Sequence, residues 1–154
     1  MLTYRKTTLE DVKIYFDWAN DIDVREQSFE SKKIDFVSHT KWFNSKINDK
    51  SCFMLIFQNE NNENVGQLRI QEYDLENAII GVSIDTPFRG NGFAKEMLVN
   101  GCKSYFNHKS DVMIHAYIKK KNISSKFAFE NARFQFLEII DFEGHETYHY
   151  SLKK

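Results

Sequence analysis

Residues 78–94 constrain the fold of this chain more than any other stretch. An apolar, β-leaning run at 78–84 ends at Asp85, Thr86 and Pro87, the only proline, and a turn containing Arg89, Gly90, Asn91 and Gly92 follows. Phe93, Ala94, Met97, Leu98, Gly101 and Tyr105 then recur at helical spacing among good helix formers. Strand, glycine turn and helix in that order aim several backbone N–H groups and the positive end of a helix dipole at one point. Gly90 and Gly92 can take positive φ, so the turn can form an anion nest that a ligand approaches closely, with the charge of Arg89 beside it. A phosphorylated ligand is expected there. Asn91-Gly92 could instead turn a type I′ hairpin, but a strand would have to follow, and residues 93–106 have helical spacing.

Two other glycine motifs fit poorly. No segment reads Gly-x-x-x-x-Gly-Lys-Ser/Thr. A dinucleotide fingerprint would need a third glycine where Lys95 stands, and would open a βαβ unit early in the chain.

The remaining elements follow from apolar spacing. Residues 2–6 read as a first strand, and Thr8 as the cap of a helix whose inner face is Leu9, Val12, Phe16 and Ala19, stopped by Asn20-Asp21. A second helix is expected over 35–47 with Phe36, Thr40, Phe43 and Ile47 inward. Residues 51–57 form an apolar run suited to a strand covered on both sides, 65–73 its antiparallel partner, and 78–84 the next strand. After the 93–106 helix, Val112, Ile114, Ala116 and Ile118 alternate on a strand, a short helix reaches about residue 131, and 134–142 and 147–152 close a hairpin. At 154 residues this is one α/β domain spanning 1–154, large enough to bury a core. Lys plus Arg (21) balances Asp plus Glu (22), which gives no sign of general affinity for nucleic acid or membranes. Cys52 and Cys102 have no framework spacing and are expected as buried free thiols, and with no signal-peptide pattern the expected location is cytoplasmic. No metal-ligand spacing stands out around His145 and His149, and His115 is expected on a solvated or partly buried sheet face.

Arg89-x-x-Gly92-x-Ala94, placed after an apolar strand and opening a helix, resembles the Arg/Gln-x-x-Gly-x-Gly/Ala signature of the GCN5-related N-acetyltransferase (GNAT) superfamily. Asn122 and Ser125, followed by Phe129 and Phe134, resemble its second element. The order of elements is similar over essentially the whole chain. Trp18, Asn20, Arg25, Ser28, His39 and Trp42 make the N-terminal third look like the bacterial branch that acetylates nucleotide-linked amino sugars.

The resemblance implies a mixed, mostly antiparallel sheet of about seven strands with about four helices, whose fourth and fifth strands splay apart to admit acetyl-coenzyme A. It implies cofactor contacts at Arg89, Gly90, Asn91, Gly92, Phe93 and Ala94, with the backbones of Val82 and Ile84 pairing the pantetheine arm. Asn122, Ser125 and Phe129 complete that set; Asn122 is equally a good helix N-cap. Two departures stand out. Phe129 occupies the place of a tyrosine that protonates the leaving thiolate, and Arg133 stands where glycine is common. Glu72 and His39 are the candidate bases, with Trp18, Asn20, Arg25, Trp42 and Tyr73 as candidate acceptor contacts. The plain alternative for each is surface charge or core packing. The implied activity is direct acetyl transfer to a primary amine of a small molecule, with no metal. Acetylation of a protein amine, a non-catalytic acyl-coenzyme A binder and a homodimer stay open.

Overall fold

Each strand read from apolar alternation joins one sheet. The computed structural model describes Met1–Lys154. Its elements are β1 (Thr3–Lys6), α1 (Val12–Ala19), α2 (Ile22–Gln27), α3 (Phe36–Ile47), β2 (Cys52–Gln58), β3 (Asn64–Glu72), β4 (Asn77–Ile84), α4 (Phe93–Phe106), β5 (Met113–Lys119), α5 (Ile123–Asn131), β6 (Gln135–Phe142) and β7 (His145–Leu152). The strands lie in the order β1-β2-β3-β4-β5-β7-β6. All neighbours run antiparallel except β4 and β5, which pair in parallel at only three positions, the last being Ile79 with His115. Beyond that point the two strands part.

The sheet separates two layers of helix. On the α4 and α5 side, Leu68, Ile70, Ile80, Ile114, Ala116 and Ile118 meet Met97, Leu98, Tyr105 and Phe129 in the main core. Gly101 lets α4 lie on the sheet: a Cβ there would stand 2.6 Å from Leu68 Cδ1. On the opposite side Tyr15, Trp18 and Phe43 pack over Met54 and Ile56.

The differences from expectation have local causes. Residues Leu9–Asp11 form a 3-10 turn, whose three residues per turn rotate the face of the following helix. Tyr15 and Trp18 are therefore the buried residues of α1, and Leu9 is exposed. In α3 it is His39 and Phe43 that are buried, while Phe36 is exposed. Helix α2 raises the helix number to five; it lacks an apolar stripe and starts because the Asp21 side chain accepts from the N–H groups of Asp23 and Val24. A bulge between Phe136 and Glu138 breaks the alternation of β6, leaving Phe136, Leu137 and Ile139 exposed on the edge strand. Cys102 is buried and Cys52 half-buried, both as free thiols. No helix is long and apolar enough to cross a membrane.

Candidate active site

The turn after β4 leaves its amides open. Asp85 caps a short 3-10 turn, in which Phe88 N–H donates to Asp85 O (2.9 Å) and Arg89 N–H to Thr86 O (3.3 Å). From Gly90 to Lys95 no backbone N–H finds an acceptor within the protein. Gly90 (φ 80°) and Gly92 (φ 75°) hold the left-handed bends this requires, and nothing lies within 4 Å of where a Cβ would stand on either. Asn91 braces the loop by donating to the carbonyls of Phe88 (3.0 Å) and Arg89 (3.3 Å). Phe93 and Ala94 open α4, so its dipole adds to the nest.

Arg89 differs from expectation. Its guanidinium bonds Asp21 and Asp23, each at 2.9 Å, and Nε donates to Ile84 O at 2.9 Å. It clamps the start of α2 to the turn, and its charge is matched by two carboxylates before any anion arrives.

The parting of β4 from β5 exposes one backbone edge. Met113 N–H donates to Glu76 O (2.7 Å), whereas Asp85 N–H donates to Val65 O (2.8 Å). Backbone groups alternate sides along a strand, so even-numbered residues of β4 aim theirs at β5 and odd ones at β3. Val82 and Ile84 thus face the gap beyond the last paired position. The carbonyl of Ile84 is held by Arg89, which leaves both groups of Val82 and the N–H of Ile84 available.

The floor of this cleft, on the α1–α3 side, follows from register. One row runs Arg69–Gly81, crosses the gap, and continues Tyr117–His149–Glu138; the next runs Gln71–Ile79–His115–Ser151. Phe142, Tyr117 and His149 stack with centroids 4.5 and 4.6 Å apart, and the edge of Phe29 meets Phe142 at 4.7 Å. His115 Nδ1 lies 2.7 Å from His149 Nε2, and His115 Nε2 lies 2.8 Å from Asn77 Oδ1. The direction of this chain is set from one end. Asn77 Nδ2 donates to both oxygens of Asp74, so Asn77 Oδ1 accepts from His115 Nε2–H and His115 Nδ1 accepts from His149 Nε2–H. His149 Nδ1 then faces Glu138 Oε2 at 3.3 Å. Burial, and then the neighbouring His149, push His115 below its ordinary value. Lys119 is buried at the far end of β5, donates to Glu26 O (2.8 Å), and is also pushed down by burial.

Several residues singled out by sequence lie elsewhere. Glu72 points to the α4 side, where it accepts from Tyr105 (2.9 Å) beside Lys109 and lines a separate cavity of about 330 Å³. His39 is 2% exposed between α1 and α3, bonded to Val12 O (3.2 Å), and burial lowers its pKa. Trp18 is core. Asn20 bridges both backbone groups of Ile34, and Arg25 donates to the carbonyls of Ala19, Glu30 and Lys32 and to Ser28 Oγ. Asn122 caps α5, accepting from Ser125 N–H (3.3 Å). Phe129 is 3% exposed and packs edge-on against Phe134. Trp42 and Tyr73 do reach the floor: Trp42 lies under the Arg69 guanidinium, and Tyr73 stands 6.3 Å from His115. Arg69, Tyr117 and the His115–His149 pair were not foreseen as a group. Only their alternation on the strands was visible, and it is pairing register that brings them together.

The profile of the acetyltransferase (GNAT) domain matches residues 1–135. No curated protein matches the sequence. Solved structures do match its fold. The spermidine N-acetyltransferase of Vibrio cholerae, in complex with CoA and spermine, superposes with TM-score 0.87 at 16% identity over 98% of this chain and 94% of that one. Aminoglycoside acetyltransferase AAC(6')-Ib, in complex with coenzyme A and kanamycin, gives TM-score 0.84 at 15% identity over 100% and 95%. With a profile match over most of its length and a sheet that parts at the expected pair of strands, the chain belongs to the GNAT acetyltransferase family.

Proposed function

We propose that this protein transfers an acetyl group from acetyl-coenzyme A directly to the primary amine of a small molecule. The observation that carries the reading is the run of acceptor-free amides from Gly90 to Lys95 beside the free backbone edge of Val82 and Ile84. The amides and the start of α4 suit a pyrophosphate, and the Val82–Ile84 edge suits an amide-bearing arm laid alongside as an extra strand. The bound group supplies a thioester. An N–H of Val82 or Ile84 aimed at its oxygen would stabilise developing charge, a contribution of about 3 kcal/mol in other acyl-transfer sites.

The attacking amine must be neutral. Glu72 and His39 do not face the floor, which leaves the His115–His149 pair as its titratable centre. His115 is the member of the pair beside the gap, while His149 Nδ1 is turned toward Glu138 Oε2 on β6, so an amine in the gap would pass its proton on through water. Phe129 has no proton to give, so the departing sulfur takes one from the amine or from water. A nucleotide-linked amino sugar belongs to the substrate class considered, although Trp18 and Arg25 no longer argue for it.

Calorimetric titration with coenzyme A tests the reading. Saturable heat is expected, weakened at least tenfold in Gly92→Trp, whose left-handed φ and open surface a bulky side chain would spoil. No heat, or equal heat in the variant, would remove the basis for the proposal. Thiol release from acetyl-coenzyme A over a panel of amines then separates an enzyme from a simple binder.

A further inference from the structure

Arg69 is half-buried on the cleft floor and has no anion. Its guanidinium lies 4.9 Å over the Trp42 ring, and it takes part in no hydrogen bond or ion pair within the protein. The ionisable groups near enough to act on it are Cys52 and Tyr15, neither of them a carboxylate and both held in the neutral form by burial. The contrast with other arginines is sharp. Arg5 forks onto Asp11 with two bonds of 2.8 Å, Arg25 gathers carbonyls, and Arg89 takes two aspartates. Desolvating a cation without a partner is costly, and stacking on an indole returns only about 2 kcal/mol. What stacking does provide is a fixed fork with its donors free, the arrangement suited to a carboxylate or phosphate.

Its surroundings point the same way. Two residues along β3, Gln67 Oε1 is buried without a partner while Gln67 Nε2 donates to Ser83 Oγ (3.1 Å). Next to Arg69 across the ladder is Gly81, with nothing within 4 Å of where a Cβ would be, so the floor there is open. On β3 and β4 this side carries Gln67, Gln71, Ile79 and Ser83 beside Arg69 and Gly81, none of them acidic; the acidic member of the floor rows, Glu138, stands on β6, two strands beyond β5, opposite His149. Across β3, β4 and β5, the strands that border the gap, this side carries Arg69 and Lys119 and no carboxylate, a poor match to a polycation.

We infer that the acceptor is an amine that also bears a carboxylate or phosphate, and that Arg69 binds this anionic group while the amine sits in the gap between β4 and β5. The inference rests on the acetyltransferase reading above and adds the substrate class to it. Strands lie about 4.8 Å apart, so the anion and the amine would be separated by roughly 7 Å, the span of a short ω-amino acid.

The test compares 5-aminovalerate with cadaverine, two primary amines of similar length of which only the first carries an anion. Thiol release from acetyl-coenzyme A should favour 5-aminovalerate by about 10- to 100-fold in kcat/KM, as expected for one charge-assisted pair, and chiefly through KM. Arg69→Met should bring the two amines to parity by lowering only the rate with 5-aminovalerate, and Arg69→Lys should recover part of the preference. Melting curves and coenzyme A titrations on both variants establish that fold and donor site are intact. Equal rates in the unaltered protein, a preference for cadaverine, no release with either amine, or an Arg69→Met loss that falls on both alike, would overturn the anion role. Absence of coenzyme A binding in the unaltered protein would instead overturn the acetyltransferase reading beneath it.

Discussion

The two faces of the sheet are made by the same strands and solve different problems. Along β3, Leu68 and Ile70 point into the α4 core while Gln67, Arg69 and Gln71 point toward α1–α3. One-sided alternation in an antiparallel sheet ordinarily means that the polar face meets water. Here helices cover part of both faces, so the polar set is enclosed and each member needs a partner. His115, His149 and Asn77 find one another; Arg69 and Gln67 Oε1 do not. One face is settled by shape, the other by charge, and it is the second that borders the opening between β4 and β5.

The largest effect is expected from breaking the dry face. Gly101→Val would drive a side chain into Leu68, whose methyl stands 2.6 Å from the new Cβ, and α4 would have to lift from the sheet. A loss of about 3 kcal/mol or more is expected. Denaturant unfolding should show it as a lower midpoint, and coenzyme A affinity should fall as well, because the Gly90–Lys95 amides ride on the same helix. A variant as stable as the parent would mean that the contact is looser than the distance implies.

A smaller effect should come from acid and belong to the polar face alone. His39 and His115 both sit below the ordinary histidine value of 6.5, mainly through burial. The groups facing His115 are His149, Asn77, Tyr73 and Tyr117, with Asp74 and Glu138 at the ends of its chain; those facing His39 are Phe16, Trp42, Phe43 and the Val12 carbonyl. The unfolded chain takes up protons near 6.5 while the folded one resists them. Stability is therefore complete above that pH and declines as pH falls toward the folded values. Asp11 and Asp21, held below the ordinary 3.8, contribute only at much lower pH, so a comparison of pH 7.5 with 5.5 isolates the histidines. Urea midpoints should drop between those two values, and drop less in His39→Gln combined with His115→Gln. An unchanged slope in the double variant would sink this assignment.

The two faces were also unequally legible in the sequence. The turn at 86–94 and helix α4 were readable because their signals are local: a proline, two glycines and a helical repeat act on residues within a turn of themselves. The parting of β4 from β5 came only through the family resemblance, since nothing in Ile80 or Val82 announces that a neighbouring strand will stop pairing. Arg25 and Trp18 show how composition misleads. An arginine and a tryptophan near each other read as ligand contacts, yet Arg25 is taken up by loop carbonyls and Trp18 by the core. Arg69 and His149 were out of reach for the opposite reason, because cross-strand register, which no single strand encodes, sets them in one row.

The smallest effect concerns the cap that closes the dry face. Helix α5 ends with Phe134 N–H donating to Phe129 O and Arg133 N–H to Glu130 O, both at 3.0 Å, the 6→1 and 5→2 bonds of a Schellman motif. The accompanying apolar contact is Phe129 against Phe134 at 4.9 Å. The residue between the helix and Phe134 must be left-handed, and Arg133 has φ 71°. This explains why glycine is common at this place in the family, and it puts the misfit on the backbone, since the Arg133 side chain is exposed and makes no hydrogen bond or ion pair. An L-residue in this region costs about 1 kcal/mol, partly offset because glycine leaves the unfolded chain freer. Arg133→Gly should therefore stabilise the protein by a few tenths to about 1 kcal/mol, raise the melting temperature by a few degrees, and leave coenzyme A binding unchanged. A neutral or destabilising result would mean that the arginine stem covers apolar surface whose loss outweighs the relief of strain.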